Sequence, residues 1–295
     1  MMDAKALTAS LGGKWHRRCG TAPCPVCQPE GRRDQRGLEL ADGDNGRLLL
    51  RCYKMRCDFV DILAAAGIGA GDYSPPDPAE VARREAERRA EAEKRARQAK
   101  RCWDEAQPIA GTPAESYLRE ARGITCTLPP TLRFHPEAWH GASATKAPAL
   151  VARVDGGDGF AVHRTYLRAD GSGKAALAPD KMMLGAVAGG AVRLSEGPSR
   201  LLVGEGIEST LSLLCGLLDA PATAWAGLST SGLRGLRLPP QPGRLTIAQD
   251  GDKAGRDAAH ELARRAHAKG WRVGILDPGD GADFNDILTG KAVAA

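Results

Sequence analysis

The feature that most constrains the fold is an alternation of short apolar runs and helical stretches in the C-terminal third of the chain. Residues 200–204, 222–226, 244–248 and 271–276 have the apolar composition of buried strands. Helices are predicted between these strands and after the last one, at 206–218, 231–236, 253–269 and from 284 onward. Such alternation predicts a mostly parallel sheet with right-handed crossovers.

Carboxylates follow two of these predicted strands, at the points where the strands end. Glu205 follows the first, while Asp250 and Asp252 follow the third. Because the carboxyl ends of parallel strands meet at one edge of a sheet, we expect these side chains to converge. Carboxylates in one crevice repel each other unless a cation lies among them, and oxygen ligands suit Mg²⁺ or Mn²⁺. A further acidic stretch at 280–286, which contains Asp283 and Asp286, is predicted to reach the same edge.

Helix capping is the alternative role for the aspartates. An aspartate that precedes a helix often accepts hydrogen bonds from the first backbone N–H groups of that helix. Capping accounts for one of Asp250 and Asp252, but not for both together with Glu205.

Cysteines cluster near the N-terminus, where five of the eight lie between Cys19 and Cys57. No secretory signal or membrane span is evident, which indicates a cytoplasmic protein and favours metal binding over disulfides. Cys24 and Cys27 pair with Cys52 and Cys57 across a predicted hairpin at 37–40 and 47–51, with a turn at 42–46. Four thiolates predict a structural Zn²⁺ site, with Cys19 and His16 as substitute ligands.

Basic residues surround the predicted zinc site and give the ribbon a basic surface that could bind nucleic acid. The alternative is that these residues only form a solvent-exposed face. They are Arg32, Arg33, Arg36, Arg47, Arg51, Lys54 and Arg56. The net charge of the whole chain, +5, is compatible with nucleic acid without proving it.

A long charged helix and a small α+β region connect the two ends of the chain. Glycines and prolines, among them Pro75 and Pro76, mark a domain boundary near residue 70. Residues 79–107 predict a helix that lacks an apolar stripe, which is typical of a semi-rigid spacer. A short helix at 113–122 and strands at 132–134, 149–154, 160–167 and 191–194 follow. We expect Arg164 to lie on a different strand face from Val162. Arg164, Lys174 and Lys181 are predicted to form a phosphate-binding cluster, and the alternative is that they are plain surface charges.

The acidic turns closely resemble the motifs of the TOPRIM fold, which bacterial-type primases, type IA and II topoisomerases and some nucleases share. Glu205 with Gly206 resembles the first motif, Asp250 to Gly255 the primase form of the second, and Asp283 to Asp286 the third. The N-terminal cysteines resemble the zinc-binding domain of bacterial and phage primases, and residues 117–123 resemble the subdomain that precedes TOPRIM in them. The chain is thus identified as a TOPRIM-domain primase of the phage or mobile-element kind.

The resemblance implies an α/β protein in four parts. These are a zinc ribbon at 1–70, a charged helical linker at 71–107, a basic α+β subdomain at 108–195 and a catalytic TOPRIM domain at 196–295. It further implies primer synthesis on a single-stranded DNA template from nucleoside triphosphates. Glu205, Asp250, Asp252 and Asp283 are then the Mg²⁺ or Mn²⁺ ligands, and Asp286 is a weaker candidate.

Several features leave other functions open. Ser209 stands where primases usually have an aspartate, with Glu208 one residue earlier, so autonomous primer synthesis is an open question. A TOPRIM nuclease and a non-catalytic single-strand-binding replication accessory are the alternatives. A topoisomerase is disfavoured because no active-site tyrosine domain is evident. No Walker A motif is present, so a helicase partner is expected to be a separate protein, and no membrane partner is expected.

Overall fold

The computed structural model describes residues 2–32, 34–43, 47–69, 71–74, 77–198 and 200–291. These fall into two compact units, Met1–Arg88 and Arg89–Ala295. None of the described helices combines the length and apolar character that crossing a membrane requires.

The N-terminal unit is a four-stranded antiparallel sheet with two helices. Its elements are α1 Ala4–Ser10, β1 Lys14–Trp15, β2 Gly20–Ala22, β3 Leu38–Asp42, β4 Leu48–Cys52 and α2 Phe59–Ala65, with the strands in the order β1-β2-β3-β4. The predicted hairpin is confirmed, since Leu38 pairs with Cys52 and Leu40 with Leu50. Residues 44–46 of its turn, Arg33, Pro75 and Pro76 lie outside the described residues.

The charged helix α3 spans Pro78–Glu105, as the Ala-, Glu- and Arg-rich sequence predicts. The expectation that it is only a spacer is wrong for its last turns. Ala99 and Trp103, which are four residues apart and therefore share a helix face, are buried in one core cluster with Val151 and Val162. This short apolar stripe holds the end of the helix against a sheet.

A five-stranded antiparallel sheet follows α3. Its elements are β5 Gln107–Pro108, α4 Pro113–Ser116, β6 Leu132–His140, β7 Thr145–Val154, β8 Ala161–Tyr166 and β9 Lys181–Gly185, with the strands in sequence order and a π-helical turn at Tyr117–Ala121. The sequence predicts parts of β6, β7 and β8 but misses β9. The sequence of β9, Lys-Met-Met-Leu-Gly, lacks the apolar–polar alternation that marks a half-buried strand.

The C-terminal sheet confirms the predicted βα alternation. Its elements are β10 Val192–Ser195, β11 Leu201–Gly204, α5 Ile207–Ser212, β12 Thr223–Ala226, α6 Thr230–Gly235, β13 Arg244–Ala248, α7 Lys253–His267, β14 Arg272–Leu276 and α8 Phe284–Leu288. The strand order is β10-β12-β11-β13-β14, and the last four are mutually parallel. Strand β10 joins this sheet antiparallel to β12 although it precedes the expected domain start at residue 196. The four domain boundaries stay predictions.

Apolar residues cover both faces of the C-terminal sheet. On one face, Val203 and Ile247 pack with Leu262 of α7. On the other, Leu202 shares a core cluster with Leu211 of α5 and with Leu150 of β7. Burial of each such side chain stabilises the fold by roughly 1.5–3 kcal/mol. The antiparallel and the parallel sheet are therefore joined through one continuous core, which fixes β8 and β9 relative to the turns that follow β11 and β13.

Candidate active site

The four predicted zinc ligands come together in the N-terminal unit. The ligand atoms of Cys24, Cys27, Cys52 and Cys57 all lie within 4.8 Å of one another, and the sulfur atoms of Cys27 and Cys52 are 3.6 Å apart. Among the described residues this is the one group of three or more potential ligands close enough to hold a metal ion. Four cysteine sulfurs at such distances suit a tetrahedral Zn²⁺ site.

The wide spacing of the second cysteine pair is accommodated by a tight backbone turn. Arg56 has a φ of 53°, a left-handed conformation that is uncommon outside glycine, and it directs the chain back to Cys57. Burial opposes ionisation of Cys52, but hydrogen bonds from the backbone N–H groups of Met55, Cys57 and Lys54 lower the pKa of its thiol to about 6. The turn thus favours the thiolate that a metal requires.

The two substitute ligands lie outside this cluster. His16 Nε2 is 3.0 Å from the hydroxyl of Thr21. Burial, together with a hydrogen bond and charge repulsion from Glu39, raises the pKa of Cys19. Both side chains have other partners, so the cluster consists of the four predicted cysteines.

The second cluster of ionisable groups lies at the carboxyl edge of the C-terminal sheet. Gly204, at the end of β11, pairs with Ala226 of β12 and with Ala248 of β13. This register places Glu205 and Gln249 at the same level, and Asp250 follows one residue later. The parallel register therefore brings the turns that carry Glu205 and Asp250 to the same edge of the sheet, and the role of these residues stays a prediction.

Glu205 and Asp250 each keep a buried oxygen without a hydrogen-bond partner, Oε2 in Glu205 and Oδ1 in Asp250. Burial, followed by repulsion from Asp250 and Asp252, raises the pKa of Glu205 to about 7. Burial, followed by repulsion from Asp283 and Asp252, raises the pKa of Asp250 to about 6. Unpartnered carboxylate oxygens that destabilise one another's charge are the arrangement that a divalent cation would relieve.

Asp252 and Asp283 have a structural role as well, because both cap helices. Asp252 accepts a hydrogen bond from the backbone N–H of Gly255 at 2.6 Å, at the start of α7. Asp283 accepts hydrogen bonds from the N–H groups of Asn285 and Asp286 at 2.7 and 2.9 Å, at the start of α8. Asp286 completes a capping box by accepting from the N–H of Asp283. Capping thus occupies Oδ1 of both Asp252 and Asp283.

Two glycines allow the acidic turn to pack closely. A Cβ on Gly251 would lie 1.9 Å from the carbonyl oxygen of Gly279, and the Gly251 N–H donates to the carbonyl of Ala282 at 2.9 Å. A Cβ on Gly255 would lie 2.9 Å from the carbonyl oxygen of Asp250, so the start of α7 lies close against the acidic turn. The Gly251 contacts join the turn after β13 to the loop that carries Asp283.

Sequence reasoning missed a buried network around Glu208. The hydroxyl of Tyr117 donates to Glu208 Oε1 at 2.8 Å, and Lys181 Nζ lies 3.5 Å from Glu208 Oε2. Burial alone would favour the neutral acid, yet Lys181 and these hydrogen bonds lower the pKa of Glu208 to about 2. Arg122 donates to the Tyr117 hydroxyl at 3.0 Å. The available signals were the motif at 117–123 and the position of Glu208 one residue before Ser209.

The structure separates the three predicted phosphate contacts. The positive charge of Lys181 counteracts the rise in the pKa values of Glu205 and Asp250, and Lys181 pairs with Glu208. Lys174 Nζ instead pairs with Asp180 at 2.9 Å. Burial lowers the pKa of the His163 ring, and the positive charges of both lysines lower it further. Arg164 lies on the opposite face of β8.

Arg164 shares its face with Val162, contrary to expectation. Residues two apart on a strand point to the same side, and Val162 lies with Tyr166 in the core beneath α3. Arg164 is 5% exposed, and its Nη1 donates to the carbonyl of Trp139 at 2.7 Å. We therefore leave Arg164 out of the proposed site.

Comparison with protein families finds two matches over adjoining stretches. Residues 93–194 match a domain of unknown function (DUF7146), and residues 200–293 match the Toprim domain. A search of curated proteins finds no match.

Three solved structures are similar to the chain at low identity. A DNA primase domain from Pseudomonas aeruginosa is 16% identical with a TM-score of 0.32, and the match covers 63% of this chain but only 61% of that one. The zinc-binding and RNA polymerase domains of the Aquifex aeolicus primase are 12% identical over 94% of this chain and 77% of that one, with a TM-score of 0.43. The primase fragment of the bacteriophage T7 primase-helicase protein is 14% identical over 92% and 94%, with a TM-score of 0.37.

The class of protein follows from the C-terminal match together with the parallel sheet: the chain carries a Toprim domain. The chain thus has the α/β fold, the C-terminal Toprim domain and the four-cysteine N-terminal unit that the sequence predicts.

Proposed function

We propose that this protein is a nucleotidyltransferase that synthesises short primers on single-stranded DNA. The observation that carries the proposal is the pair of buried, unpartnered oxygens of Glu205 and Asp250 at the carboxyl edge of a Toprim sheet. A carboxylate that is buried without a partner costs stability, so its retention favours a ligand-binding role over a purely structural one.

In this proposal Glu205 and Asp250 are the principal ligands of Mg²⁺ or Mn²⁺. Asp252 and Asp283 contribute the oxygens that capping leaves available. Divalent cations bound there would align the 3′-hydroxyl with the triphosphate and neutralise the charge that develops during transfer. Asp286 is a weaker candidate because its carboxylate already accepts within the capping box.

Lys181 is the proposed phosphate-binding cation at the site. It is near enough to the acidic edge to counteract the raised pKa values of Glu205 and Asp250. Glu208, which Tyr117 orients, is its ion-pair partner. Glu208 thus holds the lysine beside the edge, and Lys174 adds a second positive charge nearby.

The zinc ribbon is the proposed template-binding surface, with Zn²⁺ as its structural ion. Tyr53 is 58% exposed, and the guanidinium of Arg51 lies 4.8 Å from the centre of its ring. Lys54 and Arg56 are exposed in the same turn. An accessible ring among cations is the combination that binds single strands, by base stacking and by attraction of phosphates. A helicase encoded separately is the expected partner of primer synthesis.

The test is incubation of the full chain with single-stranded DNA, labelled nucleoside triphosphates and Mg²⁺ or Mn²⁺. We expect short labelled primers from the wild type and their loss, by at least about 100-fold, in Asp250→Ala. Asp280→Ala is the matched control, because Asp280 is an exposed aspartate that pairs with Arg256; we expect it to retain synthesis.

Other outcomes would replace the proposal. Undiminished synthesis in Asp250→Ala would remove the assignment of the site. Metal-dependent shortening of an end-labelled strand without nucleotides would identify a nuclease. Binding of DNA without turnover under any of these conditions would identify a non-catalytic accessory.

A further inference from the structure

Three arginines form a row across the C-terminal sheet, at the strand ends opposite the carboxylates. Arg244 of β13 is the register partner of Arg272 of β14. Arg200 directly precedes Leu201, whose partner is Leu245, so Arg200 stands at the level of Arg244. Neighbouring strands are about 4.8 Å apart, so the row is about 10 Å long. We refer to Arg200, Arg244 and Arg272 as the arginine row.

The arginine row borders an open groove on one face of the sheet. All three arginines line a cavity of about 470 Å³ together with Thr246 and Gly274. A Cβ on Gly274 would meet no atom within 4 Å, so the space above the strands is open there. Helix α7 packs on the opposite face, against Leu245 and Ile247.

The arginine row carries an excess of positive charge. Like charges at directly opposed strand positions destabilise a sheet. Asp219 pairs with Arg200, and the hydrogen bond from Arg200, with a smaller contribution from Arg244, lowers its pKa. No carboxylate of the described residues forms an ion pair with Arg244 or Arg272, and both are exposed. Arg200 has 15% of its side chain exposed and is paired with Asp219, so Arg244 and Arg272 present the exposed guanidinium groups of the row.

We propose that the arginine row binds the phosphodiester backbone of single-stranded nucleic acid. A guanidinium presents parallel N–H donors that match two phosphate oxygens, and a row about 10 Å long is suited to neighbouring phosphates of one strand. The groove is also lined by Leu245, which is buried, and by Val273, Ile275 and Leu276, which are half-buried. None of these apolar side chains is exposed enough to anchor a protein partner. The surface lies about 15 Å from the carboxylates, at the other end of five-residue strands. The inference does not depend on primer synthesis.

The experiment measures fluorescence anisotropy of a labelled oligothymidylate with the full chain, without added Mg²⁺, over a series of salt concentrations. The variant Arg244→Gln/Arg272→Gln removes two phosphate contacts. We expect about tenfold weaker binding near 0.1 M salt and a salt dependence shallower by about 1.4, since each single-strand phosphate contact contributes about 0.7. Asp219→Asn, which removes the one paired carboxylate, is expected to strengthen binding.

The matched control is Arg234→Gln/Arg264→Gln. It removes the same charge from exposed positions of α6 and α7, on the opposite face of the sheet, and we expect the salt dependence to stay unchanged. An equal effect of the two double variants would overturn the proposal, as would wild-type binding by Arg244→Gln/Arg272→Gln. Competition by oligoglutamate as effective as by an oligonucleotide of equal charge would also overturn it, in favour of an acidic protein partner.

Discussion

The cysteine cluster and the carboxylate edge both gather groups that bind cations, and they do so in opposite ways. The four cysteine sulfurs lie within 4.8 Å of one another, and a turn stabilises a thiolate among them. The carboxylates act on one another electrostatically but do not form such a close group among the described residues. Two of them cap helices, and two keep unpartnered oxygens.

This is the difference expected between a closed structural metal site and the open catalytic site that we propose at the carboxylate edge. A structural ion needs all of its coordination positions filled by the protein, which four thiolates achieve. A catalytic ion needs free positions for substrate, so incomplete coordination by the protein is expected. The carboxylate edge is held in place by capping and by glycine packing, which operate whether or not a cation is bound.

Loss of a cluster cysteine tests the closed site and has the largest expected effect. We expect Cys24→Ser or Cys52→Ser to lose about one Zn²⁺ per chain, to unfold the N-terminal unit and to weaken template binding, because binding of a structural zinc contributes about 10 kcal/mol or more to folding. Elemental analysis measures the zinc content, limited proteolysis measures the unfolding of the N-terminal unit, and fluorescence anisotropy measures the affinity for single-stranded DNA. Cys19→Ser is the control and should retain zinc, and full zinc content in both cluster variants would place the ligands elsewhere.

Replacement of Glu208 tests whether the carboxylate edge depends on a fixed ion pair. Glu208→Gln leaves Lys181 without its partner, and we expect a loss of about 3 kcal/mol in the free energy of unfolding at pH 7. Because the pKa of Glu208 is lowered to about 2 from 4.5, this stabilisation is present above about pH 4.5 and is lost as the pH falls toward 2. Denaturant unfolding at pH 7 and pH 3 measures it, and a difference that does not shrink at pH 3 contradicts the assignment.

A methyl group on Gly251 tests the close packing of the acidic turn. We expect Gly251→Ala to cost about 2 kcal/mol, since its Cβ would lie 1.9 Å from a backbone oxygen. Gly206→Ala is the matched control in the other acidic turn, because its Cβ would meet nothing closer than 3.6 Å. Equal unfolding free energies for the two variants would show that the turn is not held by this contact.

Neutralising Asp250 tests the open site and has the smallest expected effect on stability. The raised pKa of Asp250, about 6, means that its ionised form destabilises the metal-free fold, so this cost grows as the pH rises from about 4 to above 6. We expect Asp250→Asn to be more stable than the wild type by about 1 kcal/mol at pH 8, after allowance for solvent screening, and equal to it near pH 4.

Mg²⁺ supplies the second half of that test. Added Mg²⁺ should raise the melting temperature of the wild type at pH 8 and leave Asp250→Asn nearly unchanged. A wild type that is already the more stable protein without metal would contradict an open cation site.

The sequence predicts more of the open site's position than of its internal arrangement. Strands β11 to β14 are apolar runs separated by helical stretches, so their parallel order, and with it the level of Glu205 and Asp250, follows from pattern alone. Tyr117 and Glu208 meet across 91 positions of sequence, a contact that no local periodicity encodes. The roles of the individual site residues stay predictions.

Local pattern also fails where a strand is buried on both faces. Strand alternation alone places residues 162 and 164 on the same side, so the expectation for Arg164 disregarded that period. Because all six residues of β8 are buried, apolar composition does not show which side faces the carboxylates. Its aliphatic stem packs beneath α3, and its charged end reaches the carbonyl of Trp139. Strand β9 supplies Lys181 but has no clear strand signature, so its pairing with β8 becomes visible only in the fold.

The helix caps at Asp252 and Asp283 have a consequence for comparing related proteins. Under the proposed function, a relative without nucleotide chemistry would still need capping residues at the positions of Asp252 and Asp283 to begin α7 and α8. The unpartnered oxygens of Glu205 and Asp250, by contrast, make no hydrogen bond that the fold would need to keep. Two intact downstream aspartates are then poor diagnostics of an active relative. Relatives without nucleotide chemistry should instead be recognisable by substitutions of the glutamate after β11 and of the first aspartate after β13.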